Sequence, residues 1–454
     1  MVSRQYTGWS MLTTDPLVEP VAEPVDALPL PRPRRGLNVG VLVDVEAARA
    51  ALWPFLATRL VFMLIGVAAP LLYVAHATRQ QPAHSGWVQW DAQWFIATAE
   101  HGYPYKLFPN RAYSTTAFFP LYPALIRLLT LAGMPIDTAA LLIPNVAFLG
   151  ALYYLYRLVS LDHPAAVATR AIWLLAVFPT AIVFFIPYTE SLYALLAVLT
   201  FWHLRRRRWL AAGITGALGA LTRQSGIVLA LPYVVEWYTY KVDSRQSLVA
   251  SESTAADRRG VVGSAPPPRG RARTIHSSYR LPTIDHRLLP MLLMPLAVAA
   301  HLVLLWRLTG SPFDFLGAQR AWHRLTSWPW AGIVATVQRW NLPDATGHQA
   351  HIVVELTTLA LFLPLLVIGW RRVRPSYTVY AAAVWLASLV SPAIADNYWL
   401  PIMSSSRFAL SVFPTFIVLA FLLRRPAAYQ AWLTASAMAL AFWTAYYALG
   451  GWVA

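Results

Sequence analysis

Residues 189–208 read TESLYALLAVLTFWHLRRRR, a mostly apolar run that is followed at once by four arginines. A helix needs about 20 apolar residues to cross the hydrocarbon core of a bilayer, and apolar runs of about that length recur along this chain. Lys and Arg accumulate on the cytoplasmic side of a membrane, so the four arginines mark an inside boundary. This stretch indicates a membrane-spanning helix that ends in the cytoplasm.

The composition agrees with a membrane protein. The 454 residues are 57% hydrophobic and only 12% charged, whereas an ordinary soluble domain has about 25% charged residues. The net charge of +16 comes mostly from arginines between apolar runs, which indicates membrane topology and argues against nucleic-acid binding. The chain has no Cys, which excludes disulfides, a thiolate nucleophile and a Cys-ligated metal.

The basic clusters predict how the chain threads through the membrane. The N-terminus, residues 205–208, the segment 241–287, and the clusters at 371–374 and 424–425 are all expected inside. Joining them requires about eleven helices with the right parity. The predicted spans are 51–75, 138–158, 166–187, 189–204, 209–222, 224–240, 288–307, 351–370, 376–394, 406–423 and 429–450. The stretch 117–132 carries two prolines and an arginine, and it is predicted to be an interfacial helix on the outer surface.

This threading predicts an all-α, multi-pass protein of the cell membrane with a cytoplasmic N-terminus. Its regions are a disordered tail 1–49, a transmembrane core 50–240 with a first outer loop 76–137, a flexible basic cytoplasmic loop 241–287, and a C-terminal transmembrane region 288–454 with a second outer loop 308–350. Most of the ionisable residues outside the basic clusters then converge on the non-cytoplasmic face. That convergence is the main indication of a functional site.

The first outer loop opens with Trp90-Asp91-Ala92-Gln93-Trp94, where an aromatic belt meets water. A carboxylate at this depth can act as a general base toward a sugar hydroxyl. Asp is also a favoured N-cap, so the alternative is that Asp91 caps the helix that begins at Ala92. Glu100 and His101 follow at a predicted helix end and are candidates for contacting substrate. No metal-ligand spacing stands out, so no metal site is predicted.

Three more ionisable residues stand at the outer ends of apolar spans. Glu190 follows Pro187-Tyr188, and a charged residue between spans is a functional candidate; the alternative is a helix N-terminus that its charge stabilises. Arg223 and Arg407 break the positive-inside trend, which favours an anionic partner such as a phosphate. A snorkelling arginine is the alternative for either.

The second outer loop contains Gln319, Arg320 and Trp322. Clustered Trp, Gln and Arg side chains can stack on a sugar or a glycolipid headgroup and hydrogen-bond to it. The alternative is an amphipathic interfacial helix with Trp and Arg anchors. These three residues are therefore candidates for substrate contact.

Taken in chain order, these motifs resemble the PIG-V-type mannosyltransferases. That family lies in the GT-C glycosyltransferase superfamily and includes GPI mannosyltransferase II. The matching stretches are 90–94, 99–103, 117–123, 178–180, 187–191, 220–223, 318–322 and 406–408, so the resemblance covers about 50–425. Gln224 and Phe408 depart from the family pattern, which has Pro, Ser or Thr and commonly Tyr at these positions.

The resemblance implies a GT-C-type helical bundle and a polyprenyl-phosphate-linked donor with mannose as its sugar. It implies that Asp91 is the catalytic base and that Arg223 and Arg407 bind the donor phosphate. The substrate-binding candidates are Trp90, Trp94, Glu100, His101, Tyr122, Tyr188, Glu190, Gln319, Arg320 and Trp322. No cofactor beyond the donor is expected, and the acceptor is a glycolipid or glycan.

The sequence thus leads to the hypothesis of single-displacement, inverting transfer at the non-cytoplasmic face. One base suffices for such a reaction, in contrast to the two carboxyl groups of a glycosidase. The competing hypothesis is a transporter or lipid flippase without covalent chemistry. That class predicts inverted repeats and polar residues spread through the middle of the spans, and the sequence shows neither pattern.

Overall fold

A computed structural model of the protein describes residues 44–72, 86–108, 112–260, 285–340, 349–394, 400–402 and 404–453, with side chains in the third range described up to 247. Within these ranges the regular secondary structure is helical, and an isolated antiparallel bridge joins Arg324 to Ala393. The predicted all-α class is confirmed.

Sixteen α-helices are found in the described ranges. In chain order they are α1 (Val45–Leu72), α2 (Asp91–His101), α3 (Leu121–Leu131), α4 (Ile136–Val159), α5 (Ala165–Ala176), α6 (Glu190–Arg205), α7 (Trp209–Thr222), α8 (Ala230–Gly260), α9 (Leu293–Thr309), α10 (Asp314–Ala321), α11 (Ala331–Gln338), α12 (Gln349–Gly369), α13 (Pro375–Leu389), α14 (Ser405–Ser411), α15 (Phe413–Leu422) and α16 (Pro426–Ala448). Helix α4 packs on α6, α6 on α7 and α7 on α9.

Four helical segments are long and apolar enough to cross a membrane: α1, α4, the stretch His286–Thr309 that includes α9, and α12. Helices α14 and α15 pass the same test together as one bent span, which raises the number to five. Helices α3, α5 and α7 are apolar but shorter. The described residues therefore contain four or five candidate membrane spans, and the total of about eleven spans stays a prediction.

The predicted span 166–187 differs in the structure, because α5 already ends at Ala176. Pro179 follows three residues later and cannot donate a backbone hydrogen bond to a continuing helix. A short 3-10 helix, Ala181–Phe184, then leads the buried chain to the start of α6 at Glu190. This irregular segment brings the N-terminus of α6 into the interior of the bundle.

The predicted span 406–423 is broken in two. Helices α14 and α15 meet at an angle of 82°. Pro414 lies in the first turn of α15, and its ring would clash with the carbonyl of Leu410 in a continuous helix. Arg407 therefore lies on a short helix of its own.

The boundaries of the predicted cytoplasmic regions also differ. Helix α8 continues to Gly260, so residues 241–260 are helical where a flexible loop was predicted. The reason is that Lys, Arg, Glu and Gln are good helix formers, so a helix can continue through polar residues after it has left the apolar layer. Helix α1 begins at Val45, inside the predicted tail 1–49. Residues 1–43 of that tail and 261–284 of that loop lie outside the described ranges.

Ion pairs tie the helices together at the end that carries the basic clusters. Arg205, the last residue of α6, pairs with Asp162 in the turn between α4 and α5. Arg374, just before α13, pairs with Glu236 of α8 at 3.1 Å. Helix α6 runs from Glu190 to Arg205. Glu190 and the candidate residues near it therefore lie at the end of the bundle opposite to the basic clusters.

Gly226 allows the 3-10 helix Gln224–Leu229 to lie directly on the last turns of α7. A Cβ at this position would lie 2.1 Å from the carbonyl oxygen of Gly219 and 2.6 Å from Cα of Ala220, and neither backbone atom can move freely.

We expect Gly226→Ala to lower the free energy of unfolding by about 1–3 kcal/mol through overpacking, measured as a lower melting temperature in detergent. Gly317→Ala is the control, because its Cβ meets nothing within 4 Å. Equal melting temperatures for the two variants would contradict this account.

Candidate active site

Four charged side chains from separate elements meet in one charged cluster: Asp91 of α2, Glu190 of α6, Arg223 after α7, and Arg407 of α14. Arg407 is its centre. Its Nη1 donates to Oδ2 of Asp91 at 2.8 Å, and its Nη2 and Nε donate to Oε1 of Glu190 at 2.8 and 3.0 Å. Nη1 of Arg223 lies 3.4 Å from the same Oε1 atom. Residues far apart in the sequence are thus brought together.

The carboxylate of Asp91 does not cap a helix. Asp91 is the first residue of α2, Trp90 occupies the cap position, and no side-chain capping hydrogen bond is formed. The side chain of Asp91 is 27% exposed and pairs with Arg407. The alternative interpretation of Asp91 as an N-cap is therefore wrong, and its carboxylate remains accessible.

Glu190 lies in the first turn of α6, as the helix-terminus alternative expected. Its side chain is also fully buried, and its Oε1 atom faces both Arg407 and Arg223. A buried carboxylate between two guanidinium groups holds both of them in place by charge-assisted contacts. Glu190 thus holds Arg407 and Arg223 in position.

Tyr188 packs its ring against the guanidinium group of Arg407, with Cζ 4.6 Å from the ring centroid. Burial, followed by the negative charge of Asp91, raises the pKa of the Tyr188 hydroxyl well above its usual value. The phenol therefore stays neutral and serves as a stacking surface for Arg407.

The charged cluster forms part of the wall of a cavity of about 1850 Å³. Asp91, Arg223 and Arg407 all line it. Five of the predicted substrate-binding candidates line it as well: Trp90, Trp94, Gln319, Arg320 and Trp322. No group of three His, Cys, Asp or Glu side chains with the proximity of metal ligands occurs in the described ranges.

Three residues other than glycine that line this cavity have backbone angles in the left-handed region: Trp90 with φ 56°, His323 with φ 59° and Ser404 with φ 70°. Such a conformation is strained for a residue with a Cβ and persists where the surroundings enforce it. Trp90 directly precedes Asp91, and Ser404 directly precedes α14. These two residues lead into α2 and α14, whose charged residues Asp91 and Arg407 line the cavity.

A second part of the cavity is an aromatic wall, formed by Trp94, Phe108, Tyr113, Phe118 and Trp322. The ring of Trp94 lies 5.5 to 6.2 Å from each of the other four. Aromatic faces with polar groups at their edges suit the apolar face and the hydroxyls of a sugar ring. This wall and the charged cluster share helix α2, since Trp94 lies one turn beyond Asp91.

Some predicted substrate contacts lie elsewhere. The side chains of Glu100 and His101 are 40% and 46% exposed and do not line the cavity, because nine residues after Asp91 a helix has turned to its opposite face. Tyr122 is buried and donates to the carbonyl of Ala140 at 2.6 Å. Their positions do not support a substrate contact, and Tyr188 and Glu190 lie behind the cavity wall.

Two residues that the sequence analysis did not assign belong to the site. Glu355 of α12 is buried and accepts hydrogen bonds from the backbone N–H and the Oγ of Ser406 at 2.8 and 2.9 Å, so it holds the start of α14. Arg324 lines the cavity beside Phe408. The signal for Glu355 was available, since it is an acidic residue inside an apolar run.

Residues 60–239 match the family model described as mannosyltransferase (PIG-V), and this segment contains Asp91, Glu190 and Arg223. The predicted resemblance to the PIG-V-type mannosyltransferases is confirmed. The PIG-V match ends before α14, so Arg407 joins the site through its contacts in the structure.

Two known proteins are similar to this chain over a limited length. GPI alpha-1,6-mannosyltransferase 2 of Rattus norvegicus is 31% identical over 155 residues, which are 32% of this chain and 30% of that protein. The protein of the same name from Mus musculus is also 31% identical over 155 residues, with the same shares of 32% and 30%. The match thus spans less than a third of the length of these PIG-V-type relatives.

Two solved structures align with more of the chain than these relatives do, but at lower sequence identity. The Archaeoglobus fulgidus oligosaccharyltransferase in complex with Zn and sulfate covers 86% of this chain and 53% of its own, with a TM-score of 0.41 and 16% identity. The archaeal oligosaccharyltransferase AglB from the same organism, in complex with an inhibitory peptide and a dolichol-phosphate, covers 88% of this chain and 55% of its own, with a TM-score of 0.41 and 14% identity.

The charged cluster predicts a large stability effect at Glu190. Glu190→Gln removes the carboxylate that holds two guanidinium groups, and breaking a buried ion pair from one side costs about 3–5 kcal/mol. We expect a clearly lower melting temperature of the purified protein in detergent. Glu100→Gln is the matched control at an exposed position, where a substitution changes stability by about 0.5 kcal/mol or less. A Glu190→Gln protein as stable as this control would show that the pairing is dispensable.

Proposed function

We propose that this protein transfers mannose from a polyprenyl-phosphate-linked donor to a lipid- or glycan-linked acceptor at the non-cytoplasmic face of the membrane. One observation carries the proposal: the accessible carboxylate of Asp91 lies at 2.8 Å from Arg407 on the wall of a cavity that Arg223 also lines. The match to the PIG-V mannosyltransferases supports mannose as the sugar. The aromatic wall of the same cavity offers a surface for it.

In this proposal Asp91 is the general base. Arg407 contacts its Oδ2 atom, so the Oδ1 atom can take the proton of the acceptor hydroxyl while the carboxylate keeps its orientation. The acceptor oxygen then bonds to the anomeric carbon as the bond from that carbon to the phosphate oxygen breaks. The electron pair leaves with the polyprenyl phosphate, and the configuration inverts. General-base assistance of this kind contributes about 10²–10⁴-fold to a rate.

The leaving phosphate is already charged and needs cations more than it needs a proton. Arg223 fits this role, because it lines the cavity and its contacts to Glu190 and to Ser411 Oγ are both long, at 3.4 Å. The sequence also predicted a phosphate contact for Arg407. Since two carboxylates already engage its guanidinium group, its contacts favour a role in orienting Asp91.

The base assignment is tested by Asp91→Asn. We expect kcat for transfer from polyprenyl-phosphate-mannose to fall by about 100-fold or more, because the amide cannot accept the proton. The measurement is incorporation of radiolabelled mannose into a membrane lipid extract by the purified protein. Asp314→Asn is the matched control, since Asp314 is also the first residue of a short helix but does not line the cavity. Transfer by Asp91→Asn at the rate of this control would rule out the base.

The proposed face is tested by cysteine labelling, for which a chain without Cys gives no background. Glu100 and Arg371 are both exposed and lie on opposite sides in the predicted topology. In intact cells, a membrane-impermeant maleimide is expected to label Glu100→Cys but not Arg371→Cys. Permeabilised cells provide the control, in which both variants react. The reverse pattern would put the cavity on the cytoplasmic face.

A further inference from the structure

We infer that Arg324 and Arg223 together bind the phosphate of the donor, and that Arg407 is a positioning residue that holds Asp91. The inference rests on the proposed function for the class of ligand, an isoprenyl phosphodiester. It changes the assignment made from the sequence, in which Arg407 was the second phosphate-binding residue. The contacts of each guanidinium group carry the argument.

The guanidinium group of Arg407 is committed to carboxylates. Nη1 donates to Asp91, and Nε and Nη2 donate to Glu190. The residue is only 7% exposed. A phosphate that approached it would meet two negative groups at short range, and like charges repel strongly where water is largely excluded. Arg407 is therefore poorly suited to bind the donor and well suited to hold the base.

Arg223 and Arg324 both lie near the ring of Phe408. Cζ of Arg223 lies 5.2 Å from the ring centroid of Phe408, and Cζ of Arg324 lies 5.9 Å from it. All three residues line the cavity. Cation–π contact with one ring holds two planar guanidinium groups in the same region, and such groups suit the oxygens of a phosphate.

The backbone around Arg324 is fixed by pairing with a second segment. The N–H of Leu325 donates to the carbonyl of Pro392 at 3.0 Å, and the N–H of Ile394 donates to the carbonyl of His323 at 3.0 Å. Nη1 of Arg324 also donates to the carbonyl of Ser391 at 3.2 Å. These hydrogen bonds place a cation on the cavity wall with little backbone freedom, which lowers the entropy lost when a ligand binds.

Trp322 and Arg324 are close in the chain and line the same cavity. Trp322 belongs to the aromatic wall, and Arg324 follows two residues later. In a polyprenyl-phosphate sugar, the sugar is bonded directly to the phosphate. We infer that a sugar ring against Trp322 would place its phosphate near Arg324, in the cavity that Arg223 also lines.

The test measures binding separately from transfer. Geranyl phosphate is titrated into the purified full-length protein in detergent by calorimetry. We expect Arg223→Ala and Arg324→Ala each to raise the Kd by about tenfold or more, the effect of losing a charged hydrogen bond. Arg407→Lys is expected to change the Kd by less than about threefold. Arg339→Ala is the control, because Arg339 belongs to the same outer segment but does not line the cavity.

Kinetics distinguish positioning from binding. We expect Arg324→Ala to raise the KM for the donor, whereas Arg407→Gln lowers kcat with little change in that KM. Arg407→Lys is expected to restore part of the lost kcat, because a positive charge again faces Asp91. Unaltered binding of geranyl phosphate by Arg324→Ala, with binding lost in Arg407→Lys, would overturn the inference. Should Arg407→Lys not fold, the Arg324→Ala titration decides alone, since Arg324 is only partly buried.

The outcomes also separate this inference from the proposed function. A wild-type protein that transfers mannose but whose Arg324→Ala variant binds geranyl phosphate normally refutes the inference alone. A wild-type protein that binds geranyl phosphate through Arg223 and Arg324 but transfers no mannose refutes the proposed function and supports the phosphate site.

Discussion

The structure of the site depends on one buried guanidinium group. Arg407 is almost inaccessible to water, and a charge in that position is tolerated only when carboxylates surround it. Asp91 and Glu190 supply them, although they lie 316 and 217 residues away in the chain. The start of α2, the start of α6 and α14 must therefore meet at one point. The ion pairs of Arg407 with Asp91 and Glu190 hold the three elements together. The pair with Asp91 also fixes the orientation of the proposed base.

The broken helices have the same origin. An unbroken helix over 406–423 or 166–187 would carry the chain straight across the apolar layer, whereas Pro414 and Pro179 end these helices early. Irregular backbone is tolerated at membrane depth only where protein buries it, and the segment before Glu190 is buried almost throughout. Thr180 Oγ also donates to the carbonyl of Ser406 at 3.4 Å. The two breaks thus pack against each other and bring Glu190 and Arg407 into one charged cluster.

The sequence predicts much of this arrangement and misses specific parts of it. Apolar runs identify the helices, and arginines against the positive-inside trend identify Arg223 and Arg407, because burying a charge is costly enough to need a reason. Hydropathy does not report where a helix bends, so both breaks were missed. Nor does it choose between a helix cap and an ion pair for Asp91, because the partner is far away in the chain. Arg324 was not assigned, because the contact with Phe408 that supports its proposed role joins residues far apart in the chain.

The distribution of polar groups bears on the competing transporter hypothesis. Arg59 does lie within α1, but it donates to Oδ1 of Asn145 at 2.9 Å and to the carbonyl of Phe184 at 2.8 Å. Neither Arg59 nor the buried His301 of α9 lines the cavity. These residues tie helices together or fill the interior, whereas a transport path needs polar groups that line it. The charged groups that do face the cavity gather at one end of the bundle, as expected for a reaction at one face of the membrane.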